Sequence, residues 1–311
     1  MEKEILFGIC ADVHHSEDWG EHAWRMTRFV REANERRADF IVQLGDFTTG
    51  GKMGRELLDE WEKFDGPRYH VLGNHETESL SKEEIMSFLG MEKKYYSFDA
   101  GNYHFIVLDT NYSYENGEYR DYDHKRGGFD GAYIPPEQLR WLASDLRTTD
   151  KRCFIFMHAA AEVGDWRVTN LHAFRGVLWA ENERVGYNKV TMVFSGHDHA
   201  DALRFKGGIY YMLVNSMSLK FIGSACTDRS SHRDDVLASY GKLKYVIPYR
   251  DPLYAFVRLK PNGLIQVIGK QSEYDGNSPL ELHWEHYASP EIQYRELWMN
   301  GCCELLSSAR G

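Results

Sequence analysis

The sequence has few cysteines for its length, and their spacing matches no metal-binding or redox motif. It contains 5 Cys among 311 residues. No Cys-x-x-Cys pair occurs, which excludes a zinc ribbon and a thioredoxin-like motif. Cys10 and Cys153 lie in apolar segments and are predicted to be buried. This use of cysteine is typical of a reducing compartment, so we expect a cytoplasmic protein.

Long hydrophobic segments are also missing. No apolar run approaches the roughly 18 residues that indicate a transmembrane helix. The N-terminal residues lead directly into a short apolar segment and lack the longer apolar region of a secretory signal. The sequence therefore predicts no membrane association.

Positive charge is in deficit. The chain has 37 Lys and Arg against 47 Asp and Glu, a formal net charge of −10 at pH 7. Binding to a polymeric nucleic acid needs a basic face, so this charge argues against such a partner. A single phosphate group can still bind where the local potential is positive. With 42% hydrophobic and 27% charged residues, the composition is that of a globular protein.

The first part of the chain alternates between short apolar segments and amphipathic ones. Residues 4–11, 39–44 and 68–72 are predicted strands, and residues 22–37 and 55–64 between them are predicted helices. Strands that alternate with helices in this way indicate parallel pairing in an α/β fold.

The later part of the chain contains predicted hairpins as well. Three hairpins are predicted, over residues 94–109, 202–214 and 253–269. The remaining predicted elements are strands at 152–157 and 190–195, a helix at 135–146 and a polar loop at 111–133. We interpret residues 1–270 as one domain and residues 271–311 as a C-terminal extension, which packs on that domain or on a neighbouring subunit.

Side chains that bind metals follow five of the predicted strands. They are Asp12 and His14, Asp46, Asn74 and His75, His158, and His197 and His199. Alone, each has a more ordinary explanation, such as a turn or a hydrogen-bonded buried histidine. In open α/β sheets, however, ligands bind beyond the carboxyl ends of the strands. The joint arrangement therefore predicts one metal site.

These segments resemble a known family. The motifs Asp12-x-His14, Gly45-Asp46, Gly73-Asn74-His75-Glu76, His158 and Gly196-His197-x-His199 are similar to the five blocks of the calcineurin-like metallophosphoesterases, across roughly residues 5–215. The resemblance implies an α/β fold of four layers, an αββα sandwich in which two mixed β-sheets are flanked by helices. It also implies a centre of two metal ions.

The resemblance further implies a role for each residue. Asp12, His14, Asp46 and His199 would bind the first metal ion, and Asp46, Asn74, His158 and His197 the second, so that Asp46 bridges them. Imidazole, carboxylate and amide ligands suit Mn, Fe or Zn. A hydroxide between the two ions would attack phosphorus, and His75 would be the acid near the leaving group.

Two departures and one similarity narrow the predicted substrate. The phosphate-binding arginine that follows the second block in phosphoprotein phosphatases is absent, because Phe47 follows Asp46. The fourth block has Ala159-Ala160 after the histidine instead of a proline-containing sequence. Gly127-Gly128-Phe129 and the segment Glu137 to Leu142 resemble the manganese-dependent ADP-ribose/CDP-alcohol diphosphatases. We therefore expect cleavage of a small phosphodiester or pyrophosphate, such as a nucleotide conjugate.

Substrate contacts are predicted in and around the metal motifs. Asn74 and His75 are candidates because they lie in a metal motif, and Trp19 because it follows one. Tyr112 belongs to an aromatic-rich loop, residues 111–133, which either stacks a base at the mouth of the site or packs on itself.

Two alternatives stay open at this point. The same site could serve a phosphomonoesterase, either a small-molecule or a protein phosphatase, or the chain could be a non-catalytic scaffold that binds metal. The substrate, the native metal pair and a homo-oligomeric state are left open by the sequence.

Overall fold

The computed structural model describes residues 3–126, 131–224, 234–284 and 288–301. The strands are β1 Ile5–Cys10, β2 Phe40–Gln43, β3 Arg68–His70, β4 Tyr96–Ala100, β5 Tyr103–Val107, β6 Tyr112–Glu115, β7 Glu118–Asp121, β8 Arg152–Phe156, β9 Val190–Ser195, β10 Ala202–Lys206, β11 Ile209–Leu213, β12 Leu219–Phe221, β13 Val246–Pro248, β14 Ala255–Leu259, β15 Leu264–Ile268 and β16 Arg295–Trp298. The helices are α1 Ala23–Glu35, α2 Gly51–Trp61, α3 Lys82–Phe88, α4 Pro136–Arg147, α5 Leu171–Val185 and α6 Asp234–Ser239.

Two six-stranded mixed sheets form the centre of the molecule. The first has the order β16-β15-β14-β1-β2-β3, in which β1, β2 and β3 run parallel. The second has the order β10-β11-β9-β8-β5-β4, in which β11, β9, β8 and β5 run parallel. In the first sheet the parallel strands reach one edge, at β3, and in the second sheet they all lie in the interior. Parallel neighbours are expected where crossover helices connect the strands.

The inner core lies between the two sheets and is rich in aromatic rings. Alternate residues of a strand point to opposite faces, so Phe7 and Ile9 of β1 enter this layer together with Phe40 of β2. The Phe7 ring stacks on Phe40 at 4.8 Å and meets Phe105 of the second sheet edge-on at 5.7 Å. These contacts hold the two sheets face to face.

Helices cover both outer faces. On the first sheet, Phe29 of α1 and Trp61 of α2 pack over Ile41. On the second sheet, Leu142 of α4 and Phe174 of α5 are buried in a separate cluster. The order of layers is therefore helix, sheet, sheet, helix, which confirms the predicted αββα sandwich.

Several elements differ from the sequence-based expectation, and they include α3, α6, β12, β13 and β16, which were not predicted from the sequence. The segment 111–133 is not only a loop, because β6 and β7 pair within it as an antiparallel hairpin. Helix α5, Leu171–Val185, was not predicted, because its apolar residues occupy more than one side and give no single stripe. The predicted motif at Gly127 to Phe129 lies outside the described residues.

The C-terminal segment contributes to the first sheet. Strand β16 pairs antiparallel with β15, with Ile265 opposite Leu297. Separately, no helix within the described ranges combines the length and apolarity that a membrane crossing requires.

Candidate functional site

The predicted metal-binding residues lie at the carboxyl ends of five parallel strands. Those that follow β1, β2 and β3 come from the first sheet, and those that follow β8 and β9 come from the second. Because the two sheets face each other, the loops beyond these strand ends meet at one edge of the sandwich. The structure thus brings together Asp12, His14, Asp46, Asn74, His75, His158, His197 and His199.

Five of these residues have a left-handed backbone. In the described part of the chain, eight non-glycine residues have positive φ, and five of them are Asp12, His14, Asp46, His197 and His199, with φ between 48° and 73°. This conformation costs on the order of 1–3 kcal/mol per non-glycine residue and is concentrated at functional sites. Here it occurs at five of the candidate metal ligands.

The side chains form two adjoining groups. In each of the groups Asp12, His14, His199 and Asp46, His158, His197, the potential ligand atoms lie within 4.8 Å of one another. The Asn74 Oδ1 atom is 3.0 Å from Nε2 of His158, so its amide joins the second group. Asp46 Oδ2 lies 3.8 Å from Nε2 of His14 and 3.3 Å from Nε2 of His158, and it therefore stands between the two groups.

Pairs of imidazole nitrogens face each other inside these groups. Nε2 of His14 and Nε2 of His199 are 3.1 Å apart, and Nδ1 of His197 and Nε2 of His158 are 3.0 Å apart. Nitrogens this close suit a shared cation, which accepts their lone pairs. The donor set of carboxylate, amide oxygen and imidazole fits Mn, Fe or Zn.

Burial sets the protonation of most of these histidines. It lowers the pKa of His14 and His197 well below the usual value, and it lowers the pKa of His199 to about 3. These rings are therefore neutral at pH 7, as a metal ligand must be. Burial opposes the charged form of His158 as well, but Asp46 and Asp12 outweigh it and raise the pKa of His158 to about 10.

The two carboxyl groups differ from each other. Burial, together with the charge of Asp46, raises the pKa of Asp12 well above its usual range, although His158 opposes this. Burial also acts against ionisation of Asp46, but His158 and His75 outweigh it and hold the pKa of Asp46 well below the usual value. Before metal binds, the ionised carboxylate of Asp46 thus lies beside the protonated imidazole of His158.

The loops after β2 and β3 are joined by Glu76. Its carboxylate accepts hydrogen bonds from the N–H groups of Phe47, Asp46 and Gly73, at 2.7, 3.1 and 2.9 Å. Hydrogen bonds from backbone N–H groups to a buried carboxylate are among the stronger ones in proteins. Glu76 therefore fixes Asp46 relative to the Asn74 and His75 loop.

Two glycines allow these loops to approach. A Cβ atom at Gly73 would lie 2.2 Å from the backbone nitrogen and the Oδ1 atom of Asp46. Gly45 has φ +97°, and a Cβ atom there would lie 2.5 Å from Nδ1 of His158. The glycines that precede Asp46 and Asn74 are thus required by close packing.

His75 begins a short 3₁₀ helix, His75–Glu78, and its imidazole is held by the acidic residue at the other end. His75 Nδ1 is 2.5 Å from Oε1 of Glu78, and Lys242 Nζ is 2.5 Å from Oε2. His124 Nε2 lies 3.6 Å from the same carboxylate. Burial favours neutral His75, but Asp46 and Glu78 outweigh it and raise the pKa of His75.

The two predicted aromatic contacts occupy different places. Trp19 is buried, with its ring centre 4.8 Å from that of His14 and 5.4 Å from that of His75, so it packs against both imidazoles. Tyr112 instead lies beneath the ammonium group of Lys82, and the Nζ atom of Lys82 is 4.1 Å from the centre of the Tyr112 ring. The cleft at the site is lined by Tyr122 and His124 of the 111–133 segment. Tyr112 is not among the described residues that line this cleft.

That cleft has a volume of about 310 Å³ and contains residues that the sequence analysis missed. Besides His124 and Tyr122, its walls include Trp166 and Phe221. Both lie in segments with no periodic pattern that would indicate a site. The only sequence signal is their nearness in the chain to the fourth and fifth motifs.

Two adjoining groups of carboxylate and imidazole ligands, at the edge where two sheets meet, are typical of a two-metal hydrolase centre. The chain matches the sequence model of the calcineurin-like phosphoesterase family over residues 5–201. It therefore belongs to that family, which confirms the resemblance noted in the sequence.

Curated relatives point in the same direction. The chain is similar to the manganese-dependent ADP-ribose/CDP-alcohol diphosphatase of Oryza sativa subsp. japonica, with 28% identity over 64% of this chain and 78% of that protein. A protein of the same description from Arabidopsis thaliana is 24% identical, over 66% of this chain and 81% of its own length.

Solved structures share the fold. A dimetal phosphatase from Danio rerio superposes with a TM-score of 0.61 at 18% identity, covering 87% of this chain and 98% of that one. GAP50 from Plasmodium, described as the anchor in the inner membrane complex, superposes with a TM-score of 0.54 at 16% identity, covering 88% and 87%. At these identities the similarity shows the fold alone.

Proposed function

We propose that this protein is a hydrolase of small-molecule phosphodiester or pyrophosphate bonds and that it works with two bound metal ions, manganese first among them. The observation that carries the proposal is the pair of adjoining ligand groups with Asp46 between them. Membership of the phosphoesterase family confirms the predicted class of enzyme. The names of the two plant relatives support manganese and a diphosphate substrate.

Each group of the site has a task in this proposal. Two bound metal ions would neutralise charge on the phosphoryl oxygens and lower the pKa of a water molecule. Asp46 holds the two ligand groups at a fixed separation, and Glu76 holds Asp46 in place through backbone hydrogen bonds. His75, with Nδ1 engaged by Glu78, directs Nε2 as a proton donor towards the leaving group.

The substrate we propose is a nucleotide conjugate with an internal pyrophosphate, such as ADP-ribose or a CDP-alcohol. The cleft of about 310 Å³ is at the lower end of the size range of small-molecule sites. A protein phosphatase is disfavoured, because Phe47 follows Asp46 where those enzymes carry a phosphate-binding arginine.

The test is hydrolysis by the purified protein with added Mn²⁺, on a panel of ADP-ribose, CDP-choline, cyclic AMP, a glycerophosphodiester and p-nitrophenyl phosphate. We expect a diester or pyrophosphate to be cleaved faster than the monoester. Asp46→Asn and His197→Ala should each reduce kcat/KM by more than about a hundredfold, because each removes a group from the metal-binding set.

Matched controls separate loss of chemistry from loss of fold. Asp59→Asn and His283→Ala change the same residue types at exposed positions and should keep the wild-type rate. Full activity of Asp46→Asn and His197→Ala would contradict the proposed site. A faster rate on the monoester would favour a phosphomonoesterase, and bound metal without hydrolysis of any compound in the panel would favour a non-catalytic scaffold.

We also propose the cytoplasm as the location. Cys10 and Cys153 carry free thiols, as is typical of a reducing compartment. Both are buried, and burial raises the pKa of Cys153 to about 12 and that of Cys10 well above its usual value, so neither thiol is reactive. Imaging of a fluorescent fusion tests this location, and a signal confined to a secretory compartment would contradict it.

A further inference from the structure

Two large aromatic side chains are exposed directly beside the candidate metal centre. The exposed fraction is 57% for Trp166 and 44% for Phe221, and both line the cleft that contains His197 and His199. A second cavity, of about 450 Å³, shares Trp166, His197 and Phe221 and continues to Trp284. Exposed aromatic surface at a concave site is more typical of a ligand contact than of a solvated surface.

The segment that carries two candidate metal ligands also holds Trp166 in place. Asp198 lies between His197 and His199, and its Oδ1 atom accepts hydrogen bonds from the N–H groups of Asp165 and Trp166, at 3.1 and 3.0 Å. The Trp166 ring meets that of His197 edge-on, with 6.3 Å between centres. The position of Trp166 is therefore tied to the ligand segment.

Phe221 is tied to the same segment from the other side. The preceding residue, Lys220, is buried and donates from Nζ to the carbonyl oxygens of Asp198 and His199, at 3.1 and 2.9 Å. The Phe221 ring centre lies 6.5 Å from that of His199. Lys220 also stands over the ring of Trp284, 5.3 Å from its centre, which joins the far wall of the cavity to this arrangement.

We propose that Trp166 and Phe221 bind the planar base of a nucleotide whose phosphate lies at the metal centre. This inference rests on the proposed function and adds the part of the substrate that the chain recognises. Stacking on aromatic rings accepts any base, because every base has a π-face. The site therefore fits conjugates of purine and pyrimidine nucleotides alike, and it replaces Tyr112 as the candidate for base stacking.

The test compares two ligands that differ only by the base, AMP and ribose 5-phosphate. Their binding to the Mn²⁺-loaded protein is measured by calorimetry, which requires no turnover. For the wild type we expect AMP to bind more tightly. Trp166→Ala and Phe221→Ala should each weaken the binding of AMP by roughly 5- to 100-fold. Each should change the affinity for ribose 5-phosphate by less than about twofold.

Two control variants remove rings of similar exposure elsewhere. Trp24→Ala on α1 and Phe205→Ala on β10 take away side chains that are 42% and 43% exposed, and they should leave the affinity for AMP unchanged. Equal affinity of the wild type for the two ligands would overturn the proposal. An equal loss of affinity for AMP and for ribose 5-phosphate in Trp166→Ala and Phe221→Ala would also overturn it.

The comparison of AMP with ribose 5-phosphate is independent of the hydrolysis test of the proposed function. If the panel of diesters is not hydrolysed but the base-dependent difference in binding is present and is lost in Trp166→Ala, then the proposed reaction fails and the nucleotide site stands. If hydrolysis occurs while AMP and ribose 5-phosphate bind equally, the reaction stands and the base site is wrong.

Discussion

The Oε1 atom of Glu78 lies 2.5 Å from Nδ1 of His75, and Lys242 contacts the second oxygen of the same carboxylate. The carboxylate is thus fixed by a cation on one side while it orients an imidazole on the other. This arrangement decides which nitrogen of His75 faces the cleft, and it favours the protonated ring. The efficiency of His75 as a proton donor should therefore depend on Glu78.

We expect Glu78→Gln to lower kcat roughly 10- to 100-fold, with KM changed by less than about twofold. The carboxylate raises the pKa of His75, so its removal should lower that pKa and move the alkaline limb of the kcat profile to lower pH. Steady-state kinetics between pH 6 and 9 measure both effects. Glu83→Gln, an exposed position on α3, is the control, and an unchanged kcat and pH profile would show that Glu78 is only structural.

Single residues also show what can be predicted from sequence. Asp12, His14 and His197 were predicted because they are ligand types placed directly after strands. Glu78 and Trp166 were not, since their contacts depend on a 3₁₀ turn and on a backbone hydrogen bond to Asp198. Such contacts leave no pattern along the chain.

At the scale of elements, the loops after β2 and β3 determine how the site is assembled. Gly73 lies so close to Asp46 that a Cβ atom would come within 2.2 Å of its backbone nitrogen and its Oδ1 atom. Both loops are also tied by the carboxylate of Glu76. A side chain at position 73 must therefore separate the two strand ends.

We expect Gly73→Ala to weaken Mn²⁺ binding at least about tenfold and to reduce activity in proportion, while the sheets stay folded. Calorimetry and circular dichroism measure the two properties. Gly176→Ala in α5 is the matched control, because a Cβ atom there has no neighbour within 4 Å. That variant should gain up to about 1 kcal/mol in the free energy of unfolding. Wild-type metal affinity in Gly73→Ala would contradict the close-packing argument.

Elements with one simple period were predictable, and the others were not. Helix α1 buries Met26, Phe29 and Val30 along one face, and the structure places it within the predicted segment 22–37. Helix α5 carries apolar residues on several sides, and β6 and β7 are half-exposed strands with little apolar alternation. Tertiary packing, not local pattern, decides these segments.

At the scale of the whole molecule, an acidic chain presents a site for anions. The net charge is −10, yet two bound dications would place a charge of +4 where five strands end. Only two carboxylates, Asp12 and Asp46, belong to the ligand groups, and the other ligands are neutral when they bind metal. With both ions bound, a net positive charge would therefore lie in the cleft of an otherwise acidic chain, which suits a small phosphorylated ligand better than a nucleic-acid polymer.

The same charge balance predicts that metal binding releases protons. In the metal-free site, burial and the neighbouring Asp46 raise the pKa of Asp12 well above the usual range, so its carboxyl keeps a proton to higher pH than an ordinary aspartic acid does. His158 holds a proton at pH 7, because Asp46 raises its pKa to about 10. His158 must lose that proton in order to bind a cation, whereas His199 is already neutral. The affinity for Mn²⁺ should therefore rise with pH.

We expect at least one proton to be released at pH 7, from His158, and the overall binding constant to rise at least about tenfold per pH unit. Calorimetric Mn²⁺ titrations in buffers of different ionisation enthalpy count these protons directly. His158→Gln should reduce the count by one. His104→Gln should not, because that imidazole contacts Asp99 and Asp145 and takes no part in the metal groups. A binding enthalpy that is the same in every buffer would contradict this assignment of charge.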